Sequence, residues 1–258
     1  MHRCVAPARD AAELGGRVRR FLADKPRGGP EIADLVGHLG QLGEVAIFGG
    51  MPRDLAQGGA DAFKSDVDLV VDTCEGRLAE LLRDTAAKRN RFGGYRISGR
   101  RHEYDVWALP STWAVRSGHV AARHLPDLVR TTFFDCDAVV YLCGAHQVHH
   151  LKRDVALRCG DMIEINLEAN PNPRGIVERT LRILLTGQYT AGPRLRRYLG
   201  EIAASTQVPV PEEDARRIAL ALDAPAPPAA ATRPGREVGA ARMRKASRPL
   251  RVHAPSQA

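Results

Sequence analysis

Two aspartates, Asp66 and Asp68, flank a single valine at the head of the apolar run "DVDLVV". Upstream, a first apolar run, "EVAIF", ends in Gly49 and Gly50, with Arg53 and Asp54 just beyond. On an extended chain side chains two apart share a face, so Asp66 and Asp68 point together while Val67 and Leu69 point into a core. Carboxylates at such close quarters repel, and a hard divalent cation taking oxygen ligands at about 2.1 Å relieves that repulsion. A site that moves phosphoryl groups with two ions about 4 Å apart needs one more carboxylate. Asp105 in "HEYDVWAL" is the candidate, because it alternates with Tyr104 and Val106; Glu103 shares its side. Gly49 and Gly50, lacking Cβ atoms, let backbone N–H groups approach a polyphosphate, and a short helix from Pro52 presents its positive end nearby. Arg53 adds a charge-assisted contact, and Asp54 orients it or caps the turn. A dinucleotide-binding fold fits less well, since no GxGxxG opens a long helix.

The elements that must carry these residues can be read from periodicity. "AAELGGRVRRFLAD" and "PEIADLVGHLGQL" are helical, the second opened by Pro30 and Glu31. Strands follow at "EVAIF", "DVDLVVD", "GYRIS" and "EYDVWAL", with the amphipathic helix "GRLAELLRDTAAK" among them. Further on, "LPDLVR" reads as a helix start, and "AVVYL", "QVHHL" and "MIEIN" as strands. "NPNPRG" breaks the chain before the helices "IVERTLRILLTGQY", "PRLRRYLGEIAAS" and "PEEDARRIALALD".

Composition narrows the class. With 258 residues, 44% of them hydrophobic, the chain can bury one core or a core with a small appendage, and it has no run apolar enough for a membrane. The start lacks a secretory signal pattern, so cytoplasm is the expected location. Five cysteines (Cys4, Cys74, Cys136, Cys143, Cys159) show neither CxxC spacing nor a paired framework, and His146, His149 and His150 have no fourth ligand at a zinc-site spacing. The net charge is +8, but residues 224–258 hold seven Lys/Arg and one Glu, so most of the surplus is in this tail. With almost no aromatic or β-branched content, the tail reads as disordered, either an electrostatic RNA arm or a solubilising extension.

These residues resemble the polymerase-β-like nucleotidyltransferase superfamily, in particular the head domain of class II CCA-adding enzymes and bacterial poly(A) polymerases. "GGMPRD" is similar to the family's GGxxRD turn and "SDVDLVV" to its metal-binding DxD strand. "TTFFDCDAVVY" occupies the place of RRDFTxNAxAY, and "ERTLRIL" that of EDxxRIL. The resemblance runs over about residues 30 to 190 and implies that Gly49, Gly50, Arg53 and Asp54 grip a triphosphate while Asp66 and Asp68 bind Mg²⁺, or Mn²⁺ in its place. It places Asp137 at a phosphate- and sugar-contacting segment, and Glu178 and Arg182 on a helix that pairs with the incoming base. The chain departs from the pattern at Thr131, Thr132 and Phe133, at Asp137 in place of asparagine, and at Arg179 in place of an aspartate. That last change turns an acceptor of base amino hydrogens into a charged donor.

The expected fold is therefore α/β (α+β), a small mixed sheet with flanking helices and a short C-terminal helical segment. Its parts are an N-terminal helical extension (1–29), a nucleotidyltransferase head (30–165), a neck-like helical segment (166–223) and the tail. The expected activity is Mg²⁺-dependent transfer of a nucleoside monophosphate from an NTP to a hydroxyl, with Asp66, Asp68 and Asp105 catalytic. An RNA 3′ end resembling that of tRNA is the first choice of acceptor, held by the tail or by a protein partner. A protein or small-molecule acceptor, as in a toxin or defence enzyme, and a non-catalytic RNA-binding scaffold are the alternatives.

Overall fold

The structure, a computed structural model, describes residues 5–152, 154–156, 161–186 and 189–206, with Ala219 and Leu222. The helix expected at "PEEDARRIALALD", those two residues apart, and the tail lie outside the described residues.

Helix α1 (Ala11–Leu22) starts where the Asp10 side chain accepts from the Glu13 N–H, satisfying one first-turn donor. Helix α2 (Gly29–Leu39) carries Pro30 in its first turn, where a missing N–H costs nothing. Strand β1 (Val45–Phe48), helix α3 (Gly50–Gly58), strand β2 (Val67–Val71) and helix α4 (Glu75–Leu81) follow. Next come β3 (Lys88–Arg89), β4 (Tyr95–Ser98), β5 (Glu103–Ala108) and the single-turn helix α5 (Trp113–Arg116). Strands β6 (Val139–Leu142) and β7 (Gln147–His150) form a hairpin, and β8 (Met162–Ile163), α6 (Pro173–Leu185), β9 (Thr190–Ala191) and α7 (Pro193–Thr206) complete the chain.

The first seven strands make one mixed sheet in the order β3-β4-β5-β2-β1-β6-β7, in which only β2 and β5 run parallel. Period-two alternation decides which side chains go where. Val45, Ile47, Val67, Leu69, Val71, Tyr104, Val106, Val139 and Tyr141 lie on one face, buried with Leu14, Val18 and Phe21 of α1, Ile32 and Leu39 of α2, and Met51 and Leu55 of α3. Each of the fully buried aliphatic side chains contributes roughly 1.5–3 kcal/mol of burial. Helix α1, expected in an extension ahead of the head, thus shares the head's own core. On the opposite face Ala46, Val70, Val140 and Leu142 are covered by Leu109, Leu125 and Leu128 from the segment after β5. A smaller cluster joins Phe133, Phe134 and Ile163 to Ile176, Val177 and Leu184 of α6 and Leu195 and Leu199 of α7.

Three boundaries depart from expectation for local reasons. The helix expected to run to Lys88 stops at Leu81, because the Leu82 carbonyl takes both the N–H and the hydroxyl of Thr85 and closes a turn. "MIEIN" forms only the two-residue β8, paired with β9, because Glu164 turns its carboxylate to the N–H groups of Arg194 and Leu195 at the start of α7. Helix α3 begins at Gly50 rather than Pro52.

Candidate active site

Strand register assembles the site. In the parallel β2–β5 pair Asp68 is opposite Asp105, and in the antiparallel β4–β5 pair Asp105 is opposite Arg96. Phe48 of β1 is Asp68's partner on its other side. Directly paired residues point the same way, so Arg96, Asp105, Asp68 and Phe48 form one row across four strands. Asp66 sits just before β2 and reaches the same cluster.

One guanidinium nitrogen, Arg96 Nη2, lies 2.6 Å from Asp105 Oδ2 and 3.2 Å from Asp66 Oδ2. Asn90 donates to the other Asp105 oxygen at 3.2 Å. Asp68 is different: among the described residues no hydrogen bond or ion pair reaches its carboxylate. Burial pushes its pKa well above the carboxylate range, and the charges of Asp66, Asp105 and Asp137 push it further. Burial raises Asp105 as well, against the opposing charge of Arg96. Glu103 is exposed, takes a hydrogen bond from Ser98 and stays outside this group.

The glycine turn closes the site from the side of β1. Gly49 has φ +72°, in the left-handed region that disfavours a side chain, and a Cβ placed on it would lie 3.6 Å from Asp68 Oδ2. A Cβ on Gly50 would come within 2.9 Å of Ser65 Oγ. Helix α3 starts here with no side-chain cap, and because Pro52 has no N–H its uncapped first-turn donors are those of Gly50 and Met51.

Arg53, expected to contact phosphate with Asp54 orienting it, is held by two acids. Arg53 donates from Nε to Asp54 at 2.8 Å and pairs through Nη1 with Asp137. Asp137, in the 3₁₀ turn before β6, also pairs with Arg179 of α6 at 2.8 Å. Burial alone would raise the Asp137 pKa, but Arg179 and Arg53 outweigh it and hold the carboxyl below its usual range. Burial likewise opposes the charge on Arg53, and Asp137 and Asp54 more than offset it. The Arg179 guanidinium also lies over the Phe134 ring, 5.2 Å from its centroid. A cavity of about 200 Å³ is lined by Arg53, Asp54, Gln57, Arg179, Ile183 and Tyr189, among others.

Glu178 and Arg182 are not brought into this group. The Glu178 carboxylate pairs with Arg174 at 3.0 Å, and Arg182, exposed, donates to the Glu178 backbone carbonyl. Arg174, Glu178 and Arg182 form the outer stripe of α6, spaced by one turn, while Ile176, Thr180 and Leu184 are buried. Arg179 lies beside that buried stripe and is the residue of this helix that reaches the site. Arg96 and Asn90 carried no signal in the sequence, because their role depends on which strand pairs with β5 and in what register.

The motif resemblance implies a divalent cation on this face. The donor set is suited to one: hard carboxylate oxygens, with Asp68 unmatched and its charge penalised. Asp66 and Asp68 fit such an ion. As the side chains stand, no three His, Cys, Asp or Glu groups converge as a metal cluster among the described residues, because Asp66 and Asp105 both turn to Arg96.

No family model and no curated protein matches the chain. It is similar to solved structures of a CCA-adding enzyme with ATP (21% identity, TM-score 0.45, 79% of this chain and 53% of that one). It is likewise similar to the Bacillus stearothermophilus CCA-adding enzyme in complex with CTP (15%, TM-score 0.46, 73% and 47%). A third is a tRNA nucleotidyltransferase complexed with a primer tRNA and an incoming ATP analog (19%, TM-score 0.40, 64% and 49%). The chain spans about half the length of these structures. Among the described residues no helix is long and apolar enough to cross a membrane.

Proposed function

We propose that this chain is a divalent-metal-dependent nucleotidyltransferase. It moves a nucleoside monophosphate from an NTP to an acceptor hydroxyl, the 3′ end of an RNA, and releases pyrophosphate. The observation that carries the reading is the meeting of the two motifs in one place, with an unpaired Asp68 carboxylate 3.6 Å from where a Gly49 Cβ would be.

Asp66 and Asp68 would hold Mg²⁺, or Mn²⁺ in its place, which when bound neutralises charge on the triphosphate and its leaving group. The uncapped N–H groups at the start of α3 receive the leaving phosphates, and the bare glycines allow the approach. Arg53 keeps that turn in position through Asp54 and Asp137. Asp105, with its pKa raised, accepts the proton of the acceptor hydroxyl as its oxygen bonds to the α-phosphorus. The bond from that phosphorus to the bridging oxygen breaks, and pyrophosphate departs. Glu178 and Arg182, on the outer stripe of α6, would meet only a group bound outside the cavity beside Arg179.

The acceptor rests on the motif resemblance and on the basic tail. A second reading, a protein or small-molecule acceptor, is favoured by Arg179, which stands where the resembled base-pairing helix has an acid and is turned to Asp137. The test offers each labelled NTP with Mg²⁺ to total RNA, to the protein itself and to lysate. Label in RNA supports the first reading, label confined to protein or small molecules supports the second, and no label with any NTP sinks both. Removing residues 225–258 is expected to weaken RNA binding and flatten its salt dependence; unchanged binding would take the tail out of the RNA contact.

A further inference from the structure

Arg96 stands between two of the three carboxylates. Register sets it beside Asp105 on the side away from Asp68, so the row reads cation, acid, acid across β4, β5 and β2. Its Nη2 stands between Asp105 at 2.6 Å and Asp66 at 3.2 Å, whereas Asp68 has no partner. The two ends of the pair are unequally buried: the Asp105 side chain is 10% exposed and that of Arg96 41%. An arginine cannot shed its charge by losing a proton, so it leaves these oxygens only by swinging out toward solvent.

We propose that Arg96 is an internal counter-ion that holds Asp66 and Asp105 while the site is empty and must release Asp66 for a divalent cation to bind. The inference rests on the reading of this face as a metal-dependent transfer site. Arg96 is a positioning residue: it acts on the carboxylates, and it sets how tightly metal binds without nucleotide. Metal arriving alone leaves the guanidinium with Asp105 only, with no further anion to take the place of Asp66. Metal arriving with a triphosphate brings that anion, so the displaced guanidinium turns from Asp66 to a phosphate. Metal and nucleotide therefore bind more tightly together than apart.

The experiment measures Mn²⁺ affinity of the full chain, by electron paramagnetic resonance of the free ion, with and without a non-hydrolysable NTP analogue. Arg96→Met is expected to tighten Mn²⁺ binding without nucleotide by about fivefold to tenfold and to shrink the gain on adding the analogue. Arg96→Lys, which keeps the charge, is expected to stay within about twofold of wild type. Equal affinity in wild type and Arg96→Met, or weaker binding in the variant, overturns the proposal. A lysine variant as tight as the methionine one overturns it too, since charge would not be the cause. Mn²⁺ bound by wild type but not by Asp68→Asn keeps the metal reading standing in either case. No Mn²⁺ bound by any of them, with or without nucleotide, overturns both.

Discussion

Arg53, Asp54, Asp137 and Arg179 form a set of two acids and two arginines, while Asp66, Asp68, Asp105 and Arg96 form a set of three acids and one arginine. Asp68 lies near enough to Asp137 and Arg179 to feel their charges, so the two sets are neighbours. In the first, every charge has a partner, the acid at its centre is nearly buried, and the pairs tie α3 to the turn before β6 and to α6. In the second, one acid has no partner, and the arginine is shared by the other two. A balanced buried set is a strut, since removing one member strands the rest in a poor dielectric. An unbalanced set with an acid left unpaired is a demand for a cation from outside.

That contrast is best broken at Asp68. Asp68→Asn is expected to lower metal-dependent nucleotide transfer by about a thousandfold or more, roughly 4 kcal/mol of transition-state stabilisation, measured by label incorporation under saturating NTP. A variant within tenfold of wild type would remove Asp68 from the chemistry. On the balanced side, Asp137→Asn leaves Arg53 and Arg179 without their shared anion and is expected to cost about 3 kcal/mol in chemical denaturation. A variant as stable as wild type would mean that this set holds nothing together.

The two aspartates should also respond to pH with opposite sign. Asp68 has a folded pKa raised above the unfolded value of about 4, so the metal-free fold binds the extra proton and loses stability as pH rises through and beyond that value. Asp68→Asn should therefore stabilise the protein in chelator at about pH 7, by about 1–2 kcal/mol, and remove that decline. Asp137 has a folded pKa below the unfolded value, so its contribution is present above about pH 4 and is lost as pH falls through the folded value. Denaturation curves of both variants across acid and neutral pH would settle the signs, and a shared sign would break the contrast.

The smallest effect is expected on the outer stripe of α6. Arg182→Ala and Glu178→Ala should each change stability by less than about 0.5 kcal/mol and transfer by less than about threefold. A larger loss of transfer would restore to them the base-pairing role that the motif resemblance implies.

Much of this was legible beforehand because period and spacing are local properties. The alternation in "DVDLVV" placed Asp66 and Asp68 together and Val67 and Leu69 in the core, and Gly49 is found in the left-handed turn that a glycine there suggests. The alternation of "EYDVWAL" likewise put Asp105 on the face opposite Tyr104 and Val106. Helix ends were less legible: the turn at Thr85 and the capping by Glu164 are local hydrogen-bond competitions that outrank hydrophobic pattern.

The sequence by itself determined which side chains share a face, because alternation along a strand and one-turn spacing along a helix follow from backbone geometry alone. Only the tertiary structure decided which charges meet. That β5 lies parallel to β2 with Asp105 beside Asp68, that β4 delivers Arg96 to both Asp105 and Asp66, and that Arg179 crosses to Asp137 are matters of pairing between elements, adjacent in the chain for β4 and β5 and well separated for the others. Such pairings are selected by how the whole core packs, and a one-residue slip in any strand would send these groups to the opposite face.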